Sequence, residues 1–135
     1  MQLIRVEKTP APAPTPQITH AEGEAMARAA VNLFRRWNIT DAEACTLLGG
    51  ISEATYNRWK RGQIGRLGVD LKTRLSILMG IHKALRLLFT EQARCYSWVK
   101  KTNTSFDGSS ALDIMLQGQI TDLMRVRQYL DTVRG

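Results

Sequence analysis

The 135-residue sequence predicts an all-α protein with a helix-turn-helix lobe on the N-terminal side. A long central helix would join that lobe to a small helical C-terminal module. Three observations carry this reading. No proline follows Pro16, so nothing interrupts helices over the remaining chain. Apolar residues recur there at three- and four-residue spacing, with none of the alternation a half-buried strand requires. Hydroxyl-x-x-carboxylate caps open two helices, at Thr19–Glu22 and at Thr40–Glu43.

The prolines at positions 10, 12, 14 and 16 alternate with Ala and Thr, which favours an extended arm over residues 1–18. A first helix follows the Thr19 cap to about Trp37, with Met26, Ala30, Leu33, Phe34 and Trp37 on one face. A short second helix runs from Thr40 through Leu48 and stops at Gly49-Gly50. Ser52 caps a third, Glu53 to Arg61, and the lobe closes with the glycine-rich connector Gly62, Gly65 and Gly68, giving residues 19–68 as one unit. The second unit, 69–135, starts with a long helix from Val69 to about Phe89. Leu71, Leu75, Leu78, Leu85 and Phe89 keep helical spacing, and Ile77, Ile81 and Leu88 widen that face until only a narrow polar stripe remains, so it reads as a central strut. His82, on the apolar face, reads as a hydrogen-bonded core residue. Helices over about 91–101, 109–117 and 119–134 complete the chain. Ser110–Asp113 forms another cap, and Leu123, Val126, Leu130 and Val133 form a buried edge.

Cys45 and Cys95 lie inside apolar patterns with no CxxC pair, which marks them as core thiols and implies a reducing, cytoplasmic setting. No segment has the roughly 18 apolar residues of a membrane span, no signal-peptide pattern opens the chain, and no metal or cofactor motif appears.

Charge is distributed unevenly. The net charge is +7, yet residues 58–101 hold eleven Lys or Arg against two Asp or Glu, while the segments on either side are each net −1. That concentration starts within the third helix and favours an anionic partner, nucleic acid first. Ala44, Leu47, Ile51, Tyr56 and Trp59 would form the inner surface of a helix-turn-helix over residues 40–61. Ser52, Glu53, Asn57 and Arg58 then face outward. Asn57 suits adenine and Arg58 suits guanine in the major groove, and Lys60, Arg61 and Arg66 are placed for phosphates. The near-neutral segment 102–135 suits a different partner. Its Arg125, Arg127 and Arg134 either reach carboxylates on that partner or form a solvated face. An enzyme is disfavoured, because His20 and His82 are the only histidines and neither belongs to a nucleophile–base constellation.

The sequence resembles the MbcA/ParS/Xre antitoxin family, and within it the ParS-like members, across roughly residues 22–135. Tyr56-Asn-Arg-Trp-Lys-Arg-Gly62 is similar to that family's recognition helix and Asp70–Phe89 to its long helix. Trp98, Asn103, Phe106, Gly108, Ser110–Asp113, Met115-Leu116, Gly118 and Val126–Asp131 resemble its toxin-binding module. The resemblance implies an antitoxin, not itself a catalyst. It would cover the active site of a RES-type, ADP-ribosyltransferase-like toxin that uses NAD, and repress its own operon as a homodimer on operator DNA. On that reading Asn103, Asp113, Arg125, Arg127, Tyr129 and Arg134 contact the toxin. Where many relatives carry proline before the asparagine, this chain has Thr102, and the extended tail of some relatives is not carried over. The alternative is a helix-turn-helix transcription regulator with no toxin partner.

Overall fold

The computed structural model describes residues 17–135, so nearly all of the arm expected over 1–18 lies outside the described residues. Among them there are seven α-helices and no strand. Helix α1 (His20–Trp37) starts at Thr19, whose hydroxyl accepts the Glu22 N–H at 3.1 Å. The Glu22 carboxylate meets that hydroxyl rather than the Thr19 N–H, so only half of the expected box forms. At its end Asn38 takes the left-handed conformation (φ 55°), and the Ile39 N–H closes on the Phe34 carbonyl at 3.3 Å.

Helix α2 (Asp41–Leu47) has the complete box. The Thr40 hydroxyl accepts the Glu43 N–H, and the Glu43 carboxylate accepts the Thr40 N–H. Gly49 and Gly50 both have positive φ, 87° and 88°, and turn the chain into α3 (Glu53–Lys60), capped by Ser52. Ala44, Leu47, Tyr56 and Trp59 are buried between these helices and α1, with Ile51 at their edge. Phe34 packs against both Trp37 and Tyr56, with ring centroids 5.9 and 6.3 Å away.

Helix α4 (Val69–Leu88) carries the rest of the architecture. It buries Leu75, Leu78, Ile81, Ala84 and Leu85 and packs against α1, α5 and α7. Each such leucine taken from water contributes roughly 1.5–3 kcal/mol. The segment expected as one helix over 91–101 is α5 (Gln92–Ser97) followed by a 3₁₀ turn at Trp98–Lys100. A second 3₁₀ turn, Thr104–Phe106, was not expected from the sequence. Helix α6 (Ala111–Met115) is shorter than predicted and has the anticipated Ser110–Asp113 box. Helix α7 (Ile120–Arg134) buries Leu123, Val126 and Leu130. Val133, expected on that edge, is instead 52% exposed because it lies in the last turn, at the rim of the core.

Two contacts fix the relation of α4 to α7. Near the start of α4, Arg74 Nη2 donates to the carbonyl of Gly118, just ahead of α7, at 2.8 Å. Further along, the Arg127 guanidinium fills the space that a side chain at Gly80 would take. The two helices therefore run side by side in the same direction, with α5, the 3₁₀ turns and α6 as the crossover. Arg74 is only 7% exposed. Its other donors reach the Asp70 carboxylate (3.1 Å) and the carbonyl of Leu47 at the end of α2 (3.4 Å). One guanidinium thus joins the helix-turn-helix, the central helix and the start of α7. Cys45 and Cys95 are buried free thiols, and burial raises both above the ordinary thiol value. Among the described residues no helix is long and apolar enough to cross a membrane.

Candidate nucleic-acid and partner interfaces

The outer face of α3 is built from its own cap. Ser52 Oγ accepts the Thr55 N–H at 3.1 Å and donates its proton to Thr55 Oγ1 at 2.9 Å. Thr55 Oγ1 in turn accepts from Arg58 Nη2 at 3.1 Å. The i, i+3, i+6 spacing puts these three side chains in one row and draws the Arg58 guanidinium back toward the start of the helix. Ser52, Glu53, Asn57 and Arg58 are all exposed there, with Arg61 and Arg66 exposed beyond. Thr55 was overlooked in the sequence, although its spacing from Ser52 and Arg58 was readable. Lys60 is placed differently. Its ammonium lies 2.7 Å from the Asp41 carboxylate, with the Tyr56 ring 5.6 Å away, so it clasps α3 to the start of α2. Burial, with the Asp41 charge adding, pushes the Tyr56 phenol up to about 12. The Arg58, Arg61 and Arg66 side chains carry no ion pair among the described residues.

A second surface is built from α7 and the 3₁₀ turns that precede α6. Tyr129 of α7 stacks on Trp98 (centroids 6.1 Å apart, 11° between planes) and meets Phe106 edge-on at 4.9 Å. Asn103 holds the approach to this cluster. Its side chain accepts the Ser105 N–H at 2.9 Å and donates to the Tyr129 hydroxyl at 3.3 Å. Arg125 lies 5.6 Å over the Phe106 ring. Asn103, Arg125 and Tyr129 are therefore brought together around three aromatic rings.

The other three residues expected here are apart from that cluster. The Asp113 carboxylate accepts the Ser110 N–H within its capping box. Arg127 lies against Gly80, its Nε 3.3 Å from the Asp131 carboxylate in an ion pair without hydrogen-bond geometry. Arg134 shares the same carboxylate at 3.7 Å. Gly80 accounts for Arg127: a helix position with no side chain admits it against α4, an effect that α7's sequence alone does not show.

Comparison with known proteins also finds two parts, but their boundary falls within α4 rather than at the glycine connector before it. Residues 16–80 match the antitoxin Xre-like helix-turn-helix domain. Residues 84–135 match the antitoxin Xre/MbcA/ParS C-terminal toxin-binding domain. A similar protein, the uncharacterized protein y4oB of Sinorhizobium fredii, is 46% identical over 100 residues, which span 74% of this chain and 77% of that protein. With a helix-turn-helix domain followed by a toxin-binding domain, the chain belongs to the Xre/MbcA/ParS antitoxins.

Proposed function

We propose that this antitoxin neutralises a RES-type, ADP-ribosyltransferase-like toxin by covering its NAD-using active site, and that it represses its own operon through α3. The observation that carries the reading is the match of the C-terminal half to a toxin-binding domain. The resemblance of that half to ParS-like members supports the RES class. Asn103, Arg125 and Tyr129 offer a toxin a rigid aromatic platform rimmed by a guanidinium, which suits carboxylates in an enzyme cleft. Arg134 adds a second cation at the end of α7, while Asp113 and Arg127 would meet the toxin outside the aromatic platform.

For DNA, Asn57 and Arg58 read base edges from the exposed face of α3, Ser52 and Glu53 flank them, and Arg61 and Arg66 take phosphates. Lys60 contributes by holding α3 in place. Two copies reading paired half-sites would make the repressor a homodimer. The organisation proposed is an arm over 1–18, a DNA-binding lobe over 19–68 and a toxin-binding unit over 69–135, working in the cytoplasm without a cofactor.

The two surfaces are separable by substitution. Truncating α7 is unsuitable, since Leu123, Val126 and Leu130 belong to the core. The test is co-purification with the product of the neighbouring gene, comparing Arg125→Glu with Arg58→Ala. Arg125→Glu should abolish toxin capture and leave operator binding intact. Arg58→Ala should do the reverse, weakening operator binding by about 1–3 kcal/mol. Toxin capture unaffected by charge reversal at Arg125, or DNA affinity unaffected by loss of Arg58, overturns the corresponding half.

A further inference from the structure

Neither interface uses the cations on the side of the molecule where α1, α4 and α5 meet. Two adjoining hollows lie there, of about 570 and 370 Å³, and both are lined by Arg36, Gln92 and Tyr96. Lys100 lines the larger, and His82 and Arg86 line the smaller. No carboxylate lines either one. Arg36, Arg86 and Lys100 also make no ion pair among the described residues. Three positive charges thus border a concave surface without a counter-ion, Arg36 lying between the other two in the shared lining, with Lys100 also donating to the Asn38 carbonyl at 2.6 Å.

The central cation is held in place. Arg36 Nη1 donates to the Tyr96 hydroxyl at 3.0 Å, and its guanidinium lies 5.0 Å from that ring's centroid. His82 Nε2 lies 2.9 Å from the same hydroxyl. The Tyr96 hydroxyl thus bridges Arg36 and His82, tying α1 to α4 through α5. One edge of Arg36 is thereby fixed, leaving its remaining N–H groups for a ligand. Trp37, buried to 1% exposure, lines the larger hollow, and its indole N–H has no acceptor. The site is rich in donors and has no negative charge of its own.

We propose that this cleft binds a small phosphorylated anion, with Arg36, Arg86 and Lys100 supplying the charge and Tyr96 orienting Arg36. A diphosphate group is the class that fits. It carries enough charge to engage three separated cations, and guanidinium groups bind phosphate oxygens in bidentate fashion. The ligand can be inorganic diphosphate or the diphosphate portion of a nucleotide.

The test is calorimetric titration of the full chain with inorganic pyrophosphate and, separately, with ADP. Saturable one-to-one binding of pyrophosphate is expected, and tighter binding of ADP would assign the nucleotide as source. The double variant Arg36→Gln/Arg86→Gln should weaken binding about tenfold or more, the loss of two charge-assisted contacts. Tyr96→Phe keeps the ring and should weaken it by a smaller factor, which guards against misfolding of the double variant. Arg58→Ala/Arg61→Ala should bind as the native chain does. Absence of saturable binding overturns the proposal, as does binding that survives Arg36→Gln/Arg86→Gln or is lost equally in Arg58→Ala/Arg61→Ala. If the cleft variant loses affinity for duplex DNA but never bound pyrophosphate, the surface serves the duplex and the proposal fails.

Discussion

Arg74 Nη2 donates to the backbone carbonyl of Gly118 at 2.8 Å, across 44 positions of sequence. The same side chain holds the Leu47 carbonyl, so its removal strands two acceptors together. A buried acceptor left unpaired costs about 1–3 kcal/mol. Arg74→Met, which keeps most of the apolar stem, should therefore lower stability by about that amount or more in denaturant unfolding. Arg74→Lys should restore only part of it, because an ammonium lacks the fork that spans separate carbonyls. Full rescue by lysine would show that charge alone, not geometry, matters at this position.

The turn between α2 and α3 offers a paired comparison. Gly49 and Gly50 share nearly the same positive φ, so alanine at either is strained by about 1–2 kcal/mol. Only at Gly49 would the added Cβ also meet a neighbour, 2.8 Å from Arg74 Nε, whereas at Gly50 it points into open space. Gly49→Ala should accordingly destabilise more than Gly50→Ala, measured as the difference in unfolding midpoint. The gap should disappear in an Arg74→Ala background, whose side chain ends short of the contacting atoms. Equal losses in the native background would remove the proposed contact from the explanation.

Gly80 and Arg127 form a double-mutant cycle. Glycine inside a helix costs about 1 kcal/mol relative to alanine, so Gly80→Ala should stabilise α4 once Arg127 is gone. In the native chain the new methyl displaces the guanidinium, and the gain should be reduced or reversed. A coupling energy near zero would mean that Arg127 swings away at no cost.

His82 gives a pH dependence. Burial, then the positive charges of Arg86 and Arg36, hold its pKa below the ordinary 6.5. The groups facing it are Arg36 of α1, Arg86 of its own helix and the Tyr96 hydroxyl of α5. Because the unfolded chain takes up the proton first, the stabilising contribution is complete above about 6.5 and is lost as pH falls through the folded value. The melting temperature should thus drop more steeply between neutral and mildly acid pH in the native chain than in His82→Gln. Parallel slopes for the two would assign the effect to other groups.

Local signals were the legible ones. The boxes at Thr40 and Ser110, the Ser52 cap and the glycine turn are each written within a few residues, and the structure places them where the spacing does. The 3₁₀ turn at Thr104–Phe106 escaped because three residues carry no periodicity to read. The roles of charged side chains were harder to read, since they depend on partners distant in sequence. Lys60 pairs with Asp41, Arg74 with the carbonyls of Leu47 and Gly118, and Arg127 lies on Gly80. Composition and spacing expose such residues to solvent by default; only packing shows which of them are committed. Arg58 and Arg125 kept their exposure, and both sit where a neighbour orients them.

Because Arg74 ties the end of α2 and the start of α7 to α4, the helix-turn-helix and the C-terminal domain draw on one store of stability. A partner bound at either surface favours the folded chain by mass action, and that protection extends to the other. Toxin bound to the C-terminal domain should therefore lengthen the proteolytic lifetime of α3, although no toxin atom need touch it. On the proposed function, an antitoxin freed of its partner would become vulnerable to proteases throughout, and any grip of α3 on DNA would decay together with the capacity to neutralise.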